Sequence, residues 1–315
     1  MREGVPSAFR AFRVHVDEGG VRRGVEEVPV EVLPDHDVVV WVKYSSLNYK
    51  DALSASGNRG VTKAYPHTPG IDVAGEVAHS RDPRFAVGDC VICTGHDLGM
   101  DTPGGFAQYV SVPGDWLLPP PEGLPPHGAM ALGTAGLTAA LALRRLAAAG
   151  VTPALGPLVV TGASGGVGSL AVWLAARAGY EVHASTGTPE AAETLTRLGA
   201  ARVVPREELA SPTDRPLLRG ELAGAIDTVG GTTLANLLKR TAVGGAVGAL
   251  GGIMQSAMAE TFSGPLARLA PSPAPFGVTV HRMYNPEGKT STNIVPGLLA
   301  IILSMTLVMM TAVAI

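Results

Sequence analysis

The chain has 315 residues, 46% of them hydrophobic, so it is long enough for two domains with buried cores. Its 24 lysines and arginines against 27 aspartates and glutamates give a formal net charge of −3, and the absence of any basic run argues against nucleic acid as a partner. Two cysteines are too few for a disulfide framework or a structural zinc lobe, and they suit a reducing cytoplasm.

The first part of the chain is predicted to be a compact β domain. From about residue 9 to 118, β-branched and aromatic runs are separated by glycine and proline, as is typical of short strands. These runs are FRVHV, DVVVWVKY, GIDVAGEV, GDCVIC and FAQYVSV. One helix is expected among them, at about 47–56. The N-terminus carries charges throughout and no apolar core, so no secretion signal is expected. A cytoplasmic location is expected instead.

The second part of the chain is predicted to be an α/β domain. A proline-rich hinge, LLPPPEGLPPHG, precedes a predicted long helix from Ala129 to Ala149. Between residues 157 and 250, five apolar strands alternate with helical segments, which predicts a parallel sheet covered on both faces. The domain boundaries are therefore placed at 1–125, 126–252 and 253–315.

A glycine-rich turn follows the first strand of this α/β region, in LVVTGASGGVGSLAV. Gly162, Gly165 and Gly168 allow a sharp turn, close approach of a pyrophosphate, and close packing of helix on strand. The anion would lie at the helix N-terminus, where unpaired N–H groups favour negative charge. Such a trio also occurs in tight turns of unrelated domains, but the surrounding strands and helices favour dinucleotide binding.

The turn after the second strand of the α/β region indicates which dinucleotide is bound. An NAD enzyme would place an acidic residue there for the ribose 2′-hydroxyl, whereas this chain has Ser185, Thr186, Gly187 and Thr188, which are all neutral. Arg206, just after the third strand, would supply a cation for a 2′-phosphate, unless it is only a solvated surface charge. The sequence thus predicts NADPH rather than NADH.

The order and spacing of several motifs resemble the quinone oxidoreductase branch of the medium-chain dehydrogenase/reductase superfamily, and within it the acrylyl-CoA reductase group. The motifs are SSLNYKDALSASG, PGIDVAGEV, DPRFAVGD, GGFAQY, GTAGLTA, VVTGASGGVG, LGAARVVPREE and GAIDTVGG, and the resemblance covers residues 9–252. It implies a GroES-like domain, then a Rossmann-type doubly wound sheet, in a homodimer without zinc. It also implies NADPH-dependent reduction of the C=C bond of acrylyl-CoA to propionyl-CoA, or of a quinone or enone.

The resemblance also implies which residues contact the cofactor. Besides Gly162 and Gly168, which the glycine spacing already indicates, these are Tyr49, Ser164, Gly165, Gly166, Val167, Thr186, Gly187, Thr188 and Arg206. Thr188 departs from close members, which have arginine there as a second cation for the 2′-phosphate, so a lower affinity for NADPH is expected.

No metal site is expected. Zinc-dependent relatives place a ligating cysteine near the start of the helix that here contains Asn48 and Tyr49, and no cysteine occurs there. Cys90 and Cys93 lie three apart in a predicted strand and so point to opposite faces; two buried, inert thiols are expected. His67 is expected to be structural or solvated, like His96.

Tyr49 and Asn48 are the candidate catalytic residues. The phenol of Tyr49 would either pack and hydrogen-bond at the nicotinamide or donate to the enolate oxygen that forms during conjugate reduction. A half-buried tyrosine that caps the helix is the alternative. Asn48 and the neighbouring Lys50 are candidates to bind carbonyl or phosphate oxygens. Asp72 is expected to be a structural hydrogen-bond acceptor, and the sequence establishes no catalytic acid.

The last segment departs from this family. Leu298 to Ile315 is an uncharged run of 18 residues, which meets the lower length limit for a membrane-spanning helix, and 296–315 is the candidate span. Residues 255–315, with VHRMYNPEG and NIVPGLLAIILSMTLVMMTA, resemble a fragment of an ABC-2 type transporter permease. A divergent enzyme C-terminus with a buried helix is the alternative.

If residues 253–315 do not complete the enzyme fold, the sheet ends near Leu250 with an open edge, and poor solubility with weak or no activity is expected. The whole chain therefore has several open interpretations. It is a working reductase with an unusual tail, a membrane-tethered fusion, a non-functional chimera, or a cofactor-binding protein without catalysis.

Overall fold

The computed structural model describes residues 4–213, 215 and 218–250, which form parts of two compact units that divide between Thr134 and Ala135. Within these described residues, no helix combines the length and the apolar character needed to cross a bilayer. The candidate membrane span 296–315 and the whole segment 253–315 lie outside them. The expectations for the tail therefore stay predictions.

The first unit contains the predicted β structure and the single predicted helix. Its elements are β1 (Ala8–Asp17), β2 (Gly20–Pro29), β3 (Val38–Tyr44), α1 (Tyr49–Ala55), β4 (Asp72–Ser80), β5 (Cys90–Thr94) and β6 (Tyr109–Val112). β1 and β2 form an antiparallel hairpin, and the other strands form an antiparallel sheet in the order β5-β4-β3-β6. Side chains alternate across β3: Val38 and Val40 belong to one core cluster and Val39 to another.

Strand β2 was not predicted from the sequence. Most of its side chains are exposed, including four charged ones, so it lacks the apolar alternation by which strands are recognised. It forms because the chain turns back tightly and pairs with β1 from Asp17 and Gly20 to Ala8 and Pro29. The pairing partner, rather than the local pattern, makes this segment a strand.

The α/β region follows the predicted alternation. Its elements are α2 (Pro126–Ala148), β7 (Leu158–Thr161), α3 (Gly166–Arg177), β8 (Val182–Thr186), α4 (Ala192–Arg197), β9 (Arg202–Pro205), α5 (Arg206–Ala210), β10 (Leu222–Asp227), α6 (Gly231–Arg240) and β11 (Thr241–Ala249). Helix α2 is interrupted at Gly133, which has φ 50° and ψ −155°. The short helix α5 was not predicted.

The described part of this region forms a sheet of five parallel strands in the order β11-β10-β7-β8-β9. Leu158 and Val160 on β7 pack with residues of α2 and α3, while Val159 between them packs with residues of α5 and α6. Helices therefore cover both faces, as the continuous apolar strands predict. The chain runs outward from β7 in both directions, and ligands of such sheets bind outside the carboxyl ends of the strands at this reversal point.

Candidate cofactor site and candidate catalytic residues

The loop after β7 has the close packing that its glycines predict. Gly162 has φ 57°, in the left-handed region, and a Cβ there would overlap the hydroxyl oxygen of Thr228. A Cβ at Gly168 would overlap the carbonyl oxygen of Gly162. Both positions therefore need glycine, the first to turn the chain and the second to bring α3 close to β7.

Asp227 holds the residues beside this loop in place through hydrogen bonds. Its side chain is fully buried at the end of β10, accepts a hydrogen bond from the Thr161 hydroxyl at 2.5 Å, and accepts another from the Gly230 N–H at 2.8 Å. The Thr228 N–H in turn donates to the Thr161 hydroxyl at 3.0 Å. Burial raises the pKa of Asp227, and its hydrogen bonds oppose that rise. These contacts tie the ends of β7 and β10 together beside the loop.

A small cleft opens to solvent at the carboxyl ends of β7 and β8. It is lined by Thr161, Gly162, Ser164, Ser185, Thr186, Gly187, Arg206, Val229 and Thr233. Five predicted cofactor residues are brought together here: Gly162, Ser164, Thr186, Gly187 and Arg206. The cleft lining does not include Gly165, Gly166, Val167, Gly168 or Thr188, which lie along the loop, in the first turn of α3 and after Gly187.

Arg206 lies directly against the neutral turn after β8. A Cβ built on Gly187 would come within 2.6 Å of a terminal nitrogen of the Arg206 guanidinium. Arg206 is the first residue of α5, which follows the strand-ending Pro205 and turns the side chain back toward the cleft. Within the described part of the chain no carboxylate pairs with this guanidinium. The cation predicted for a 2′-phosphate therefore lies beside the neutral turn after β8 and lines the same cleft.

Two hydroxyls connect this turn to the glycine loop. The Thr186 hydroxyl donates to the Ser164 hydroxyl oxygen at 2.9 Å, and it accepts a hydrogen bond from the Thr188 N–H at 3.0 Å. Thr186 is buried, whereas Ser164 is exposed. The predicted residue Thr188 is thus linked to the cleft through its backbone amide.

In the first unit, Asn48 is held by the buried carboxylate of Asp72. The side-chain amide of Asn48 donates to Asp72 at 2.8 Å, and Thr134 donates to the same carboxylate from its N–H at 3.0 Å and its hydroxyl at 2.6 Å. Gly133 makes this arrangement possible, because a Cβ there would lie 2.5 Å from the Ser46 hydroxyl oxygen and 2.6 Å from an Asp72 oxygen. Asp72 is a hydrogen-bond acceptor, as the sequence predicts.

A second buried carboxylate, Asp51, lies at the start of α1. It accepts backbone hydrogen bonds from Asn48, Gly70 and Ile71 at 2.8–3.1 Å. Burial nevertheless raises the pKa of Asp51 to about 7, because desolvation outweighs these donors. No role was predicted for Asp51. Its contacts bind the start of α1 to the chain before β4.

Tyr49 is the first residue of α1 and is 50% exposed. Half of its surface is therefore exposed, which is compatible with both roles predicted for it. The neighbouring Lys50 is half-buried, and burial lowers its pKa. The structure places Asn48 and Tyr49 in the first unit, and the cleft residues belong to the second.

The two cysteines differ in environment, and the expectation that both are buried is wrong for Cys90. Cys90 begins the edge strand β5 and is exposed, while Cys93 is buried on the opposite face. Burial raises the pKa of Cys93 to about 12. The opposite orientation was predicted correctly, but the exposure of Cys90 depends on its position at the start of an edge strand.

We expect a thiol reagent at pH 8 to label one cysteine in the folded chain and two after denaturation. The thiolate is the reactive form, and Cys93 has almost none at that pH. Titration with a chromogenic disulfide, with Cys90→Ser as the control, measures this. Rapid labelling of Cys93 in the folded C90S chain would contradict it.

The histidines form no metal cluster in the part of the chain that is described, where no group of three His, Cys, Asp or Glu side chains is placed to hold an ion. His67 is buried, and burial lowers its pKa. His96 is exposed and stacks on Trp116 with ring centroids 5.0 Å apart. That both are structural or solvated stays a prediction.

Family comparisons match both parts of the chain. The model of the alcohol dehydrogenase GroES-like domain matches residues 34–122, and the model of the zinc-binding dehydrogenase matches residues 166–270. The second match continues past Gly252, where the sequence resemblance was expected to stop. The individual relatives align over 243–245 residues, about the length of the predicted resemblance over 9–252.

Individual relatives agree with the family models. The acrylyl-CoA reductase AcuI of Ruegeria pomeroyi is 46% identical over 245 residues, which cover 77% of this chain and 74% of the relative. The yhdH oxidoreductase from Salmonella enterica in complex with NADP is 45% identical, with a TM-score of 0.74 and coverage of 77% and 74%. The Bacillus subtilis protein yhfP with NAD bound is 44% identical, with the same TM-score and coverage of 78% and 74%.

These relatives favour one of the interpretations of the whole chain that the sequence left open. They support an oxidoreductase of the predicted type, and they support neither a tethered fusion nor a non-functional chimera. The prediction of a nicotinamide cofactor is confirmed for the relatives, since homologous structures hold NADP or NADPH. The Bacillus subtilis relative holds NAD. From the fold, the cleft and these matches, the chain belongs to the medium-chain dehydrogenase/reductase superfamily, together with acrylyl-CoA reductases and quinone oxidoreductases.

Proposed function

We propose that this chain is an NADPH-dependent reductase of an activated C=C bond, of the acrylyl-CoA to propionyl-CoA type or acting on a quinone or enone. The observation that carries the proposal is the Arg206 guanidinium against the uncharged turn at Gly187, in the cleft at the carboxyl ends of β7 and β8. Among the described residues no carboxylate pairs with this cation, which therefore fits a 2′-phosphate, a group that NADPH has and NADH lacks.

The glycine loop supports binding of the dinucleotide at the same cleft. The unpaired N–H groups of the first turn of α3 face the loop, and helix N-termini bind phosphate through such groups and through the helix dipole. Gly165, Gly166, Val167 and Gly168 are assigned to the pyrophosphate on this ground, and Gly187, Thr188 and Arg206 to the 2′-phosphate end.

When bound, NADPH supplies the hydride for the β-carbon of the substrate. The remaining requirements fall on protein groups and solvent: a donor for the carbonyl oxygen as negative charge develops, and one proton for the α-carbon. One hydride and one proton convert the C=C bond to a CH–CH bond, so the reaction balances without a metal or a further oxidant.

We assign the donor role to Tyr49 and Asn48. The phenol of Tyr49 is half exposed at the start of α1 and so is open to a bound molecule. One N–H of the Asn48 amide is engaged by Asp72, which fixes the amide plane and leaves its second N–H for a carbonyl oxygen. A fixed donor needs little reorganisation when the substrate oxygen becomes negative.

The substrate class rests on the relatives. The chain is 46% identical over 245 residues, which cover 77% of its length, to an acrylyl-CoA reductase, so acrylyl-CoA is the first substrate to test. A putative quinone oxidoreductase from Bacillus subtilis is 44% identical over a similar length, so a quinone is the second substrate to test.

The purified full-length chain, mixed with NADPH and acrylyl-CoA, should lose nicotinamide absorbance and form propionyl-CoA in equal amounts, as measured by mass spectrometry. The same assay with a small quinone, under anaerobic conditions, distinguishes the two substrate types. NADPH binding with no turnover of any of these acceptors would contradict the reductase assignment and leave a cofactor-binding protein.

We expect catalysis without zinc. In the described residues no three candidate ligands come together, and the helix that begins at Tyr49 carries no cysteine. Exhaustive chelation should leave turnover unchanged, and metal analysis of the active protein checks the same point. Stoichiometric zinc whose removal abolishes turnover would overturn this expectation.

A further inference from the structure

Thr186 is the last residue of β8, and its hydroxyl has two partners inside the protein. Its side chain lines the cleft although the residue is only 6% exposed. The hydroxyl accepts from the Thr188 N–H at 3.0 Å and donates to the Ser164 hydroxyl oxygen at 2.9 Å. Its single proton is therefore already used.

This engagement limits what Thr186 can do for an anion. A hydroxyl has one proton and two lone pairs. With the proton on Ser164 and one lone pair on Thr188, Thr186 has only a lone pair to offer, which repels a phosphate oxygen. The side chain of Thr186, a predicted cofactor contact, is thus unsuited to donate a hydrogen bond to a phosphate.

The same contact determines the orientation of Ser164. Because the Ser164 oxygen accepts from Thr186, the Ser164 proton is left to donate to a different group. Ser164 is exposed and lines the cleft with Gly187 and Arg206. The groups run in one direction, from the Thr188 N–H through the Thr186 O–H to the Ser164 O–H, and aligned hydrogen bonds polarise one another.

We propose that Thr186 is a positioning residue that directs the Ser164 hydroxyl to donate to the 2′-phosphate, so that Thr186 and Ser164 together favour NADPH over NADH. This inference rests on the proposed function, because it needs the cofactor in this cleft. A hydrogen bond to a charged phosphate is stronger than one to the neutral 2′-hydroxyl of NADH, so losing the orientation should weaken NADPH binding more.

The test measures the Kd of NADPH and of NADH for the full chain by nicotinamide fluorescence. Thr186→Val keeps the shape and removes the hydroxyl, Thr186→Ser keeps the hydroxyl, and Ser164→Ala removes the exposed donor. We expect T186V and S164A each to weaken NADPH about tenfold and NADH less than about threefold. T186S should stay close to the unsubstituted chain.

The double variant tests whether the two hydroxyls act as one unit. If Thr186 acts through Ser164, T186V in the S164A background should cost about twofold at most, instead of a second tenfold. Thr138→Val, which removes another buried hydroxyl on α2, is the control for the loss of a hydroxyl in general. Thermal unfolding of each variant checks that the fold is retained, and the exposed S164A gives a result even if T186V unfolds.

The outcomes separate the two proposals. Equal NADPH affinity in T186V and the unsubstituted chain, or a full additive loss in the double variant, would overturn the positioning role of Thr186. Equal weakening of NADPH and NADH would overturn the selectivity. Failure of the unsubstituted chain to bind either nucleotide would instead overturn the proposed function, and the positioning role with it.

Discussion

Replacing Arg206 with alanine should weaken NADPH binding by about 1.5–3 kcal/mol and leave NADH binding nearly unchanged. The guanidinium lies against Gly187 in the cleft, without a carboxylate partner in the described chain, so its charge is available to the 2′-phosphate. Only NADPH carries that phosphate. Fluorescence titration of both nucleotides measures the two Kd values directly.

Arg197→Ala is the matched control for this prediction. Arg197 is an exposed arginine on α4 in the same unit, and its only ion pair among the described residues is a long contact of 4.0 Å with Glu193. Its removal should alter neither Kd. If Arg206→Ala weakened NADPH and NADH equally, Arg206 would support the fold of the cleft rather than recognise the phosphate. The NADPH preference would then need another source.

Replacing Gly133 with alanine should destabilise the chain by about 2–5 kcal/mol, from backbone strain and overpacking together. Its φ of 50° and ψ of −155° are strained for a residue with a Cβ, and a Cβ would crowd the Ser46 hydroxyl and the Asp72 carboxylate. Asp72 also holds Asn48 and Thr134, so a shift of this carboxylate disturbs a candidate catalytic residue. The midpoint of urea unfolding measures the change.

Gly128→Ala, in the same helix, is the control. A Cβ at this position meets only side-chain atoms of Leu124 and Pro125 at 3.2 Å or more, so the helix propensity of alanine should leave stability unchanged or raise it by up to about 1 kcal/mol. A G133A chain as stable as the unsubstituted one would show that the helix relaxes at this break, and that Gly133 is not required there.

Much of the fold was predictable because its signals are local. Apolar strands alternating with helices already indicate a parallel sheet, and the spacing of Gly162, Gly165 and Gly168 indicates the turn that opens α3. The absence of acidic residues at 185–188 likewise predicts NADPH rather than NADH, since the charge of this one turn sets the preference for the ribose 2′ group. Such features depend on residues within one or two elements.

Other features depend on residues that are distant along the chain, and only the tertiary structure decides them. Strand β2 exists because β1 pairs with it, and the exposure of Cys90 follows from its place at a sheet edge. Asp227 becomes part of the loop because β10 lies beside β7, which brings Thr161 within hydrogen-bond distance. The order of strands and helices and the glycine spacing of the loop after β7 follow from local sequence signals. The pairing of Thr186 with Ser164, and of Asn48 with Asp72, follows from tertiary packing, because a buried polar group is stabilised by a partner that the fold brings near it.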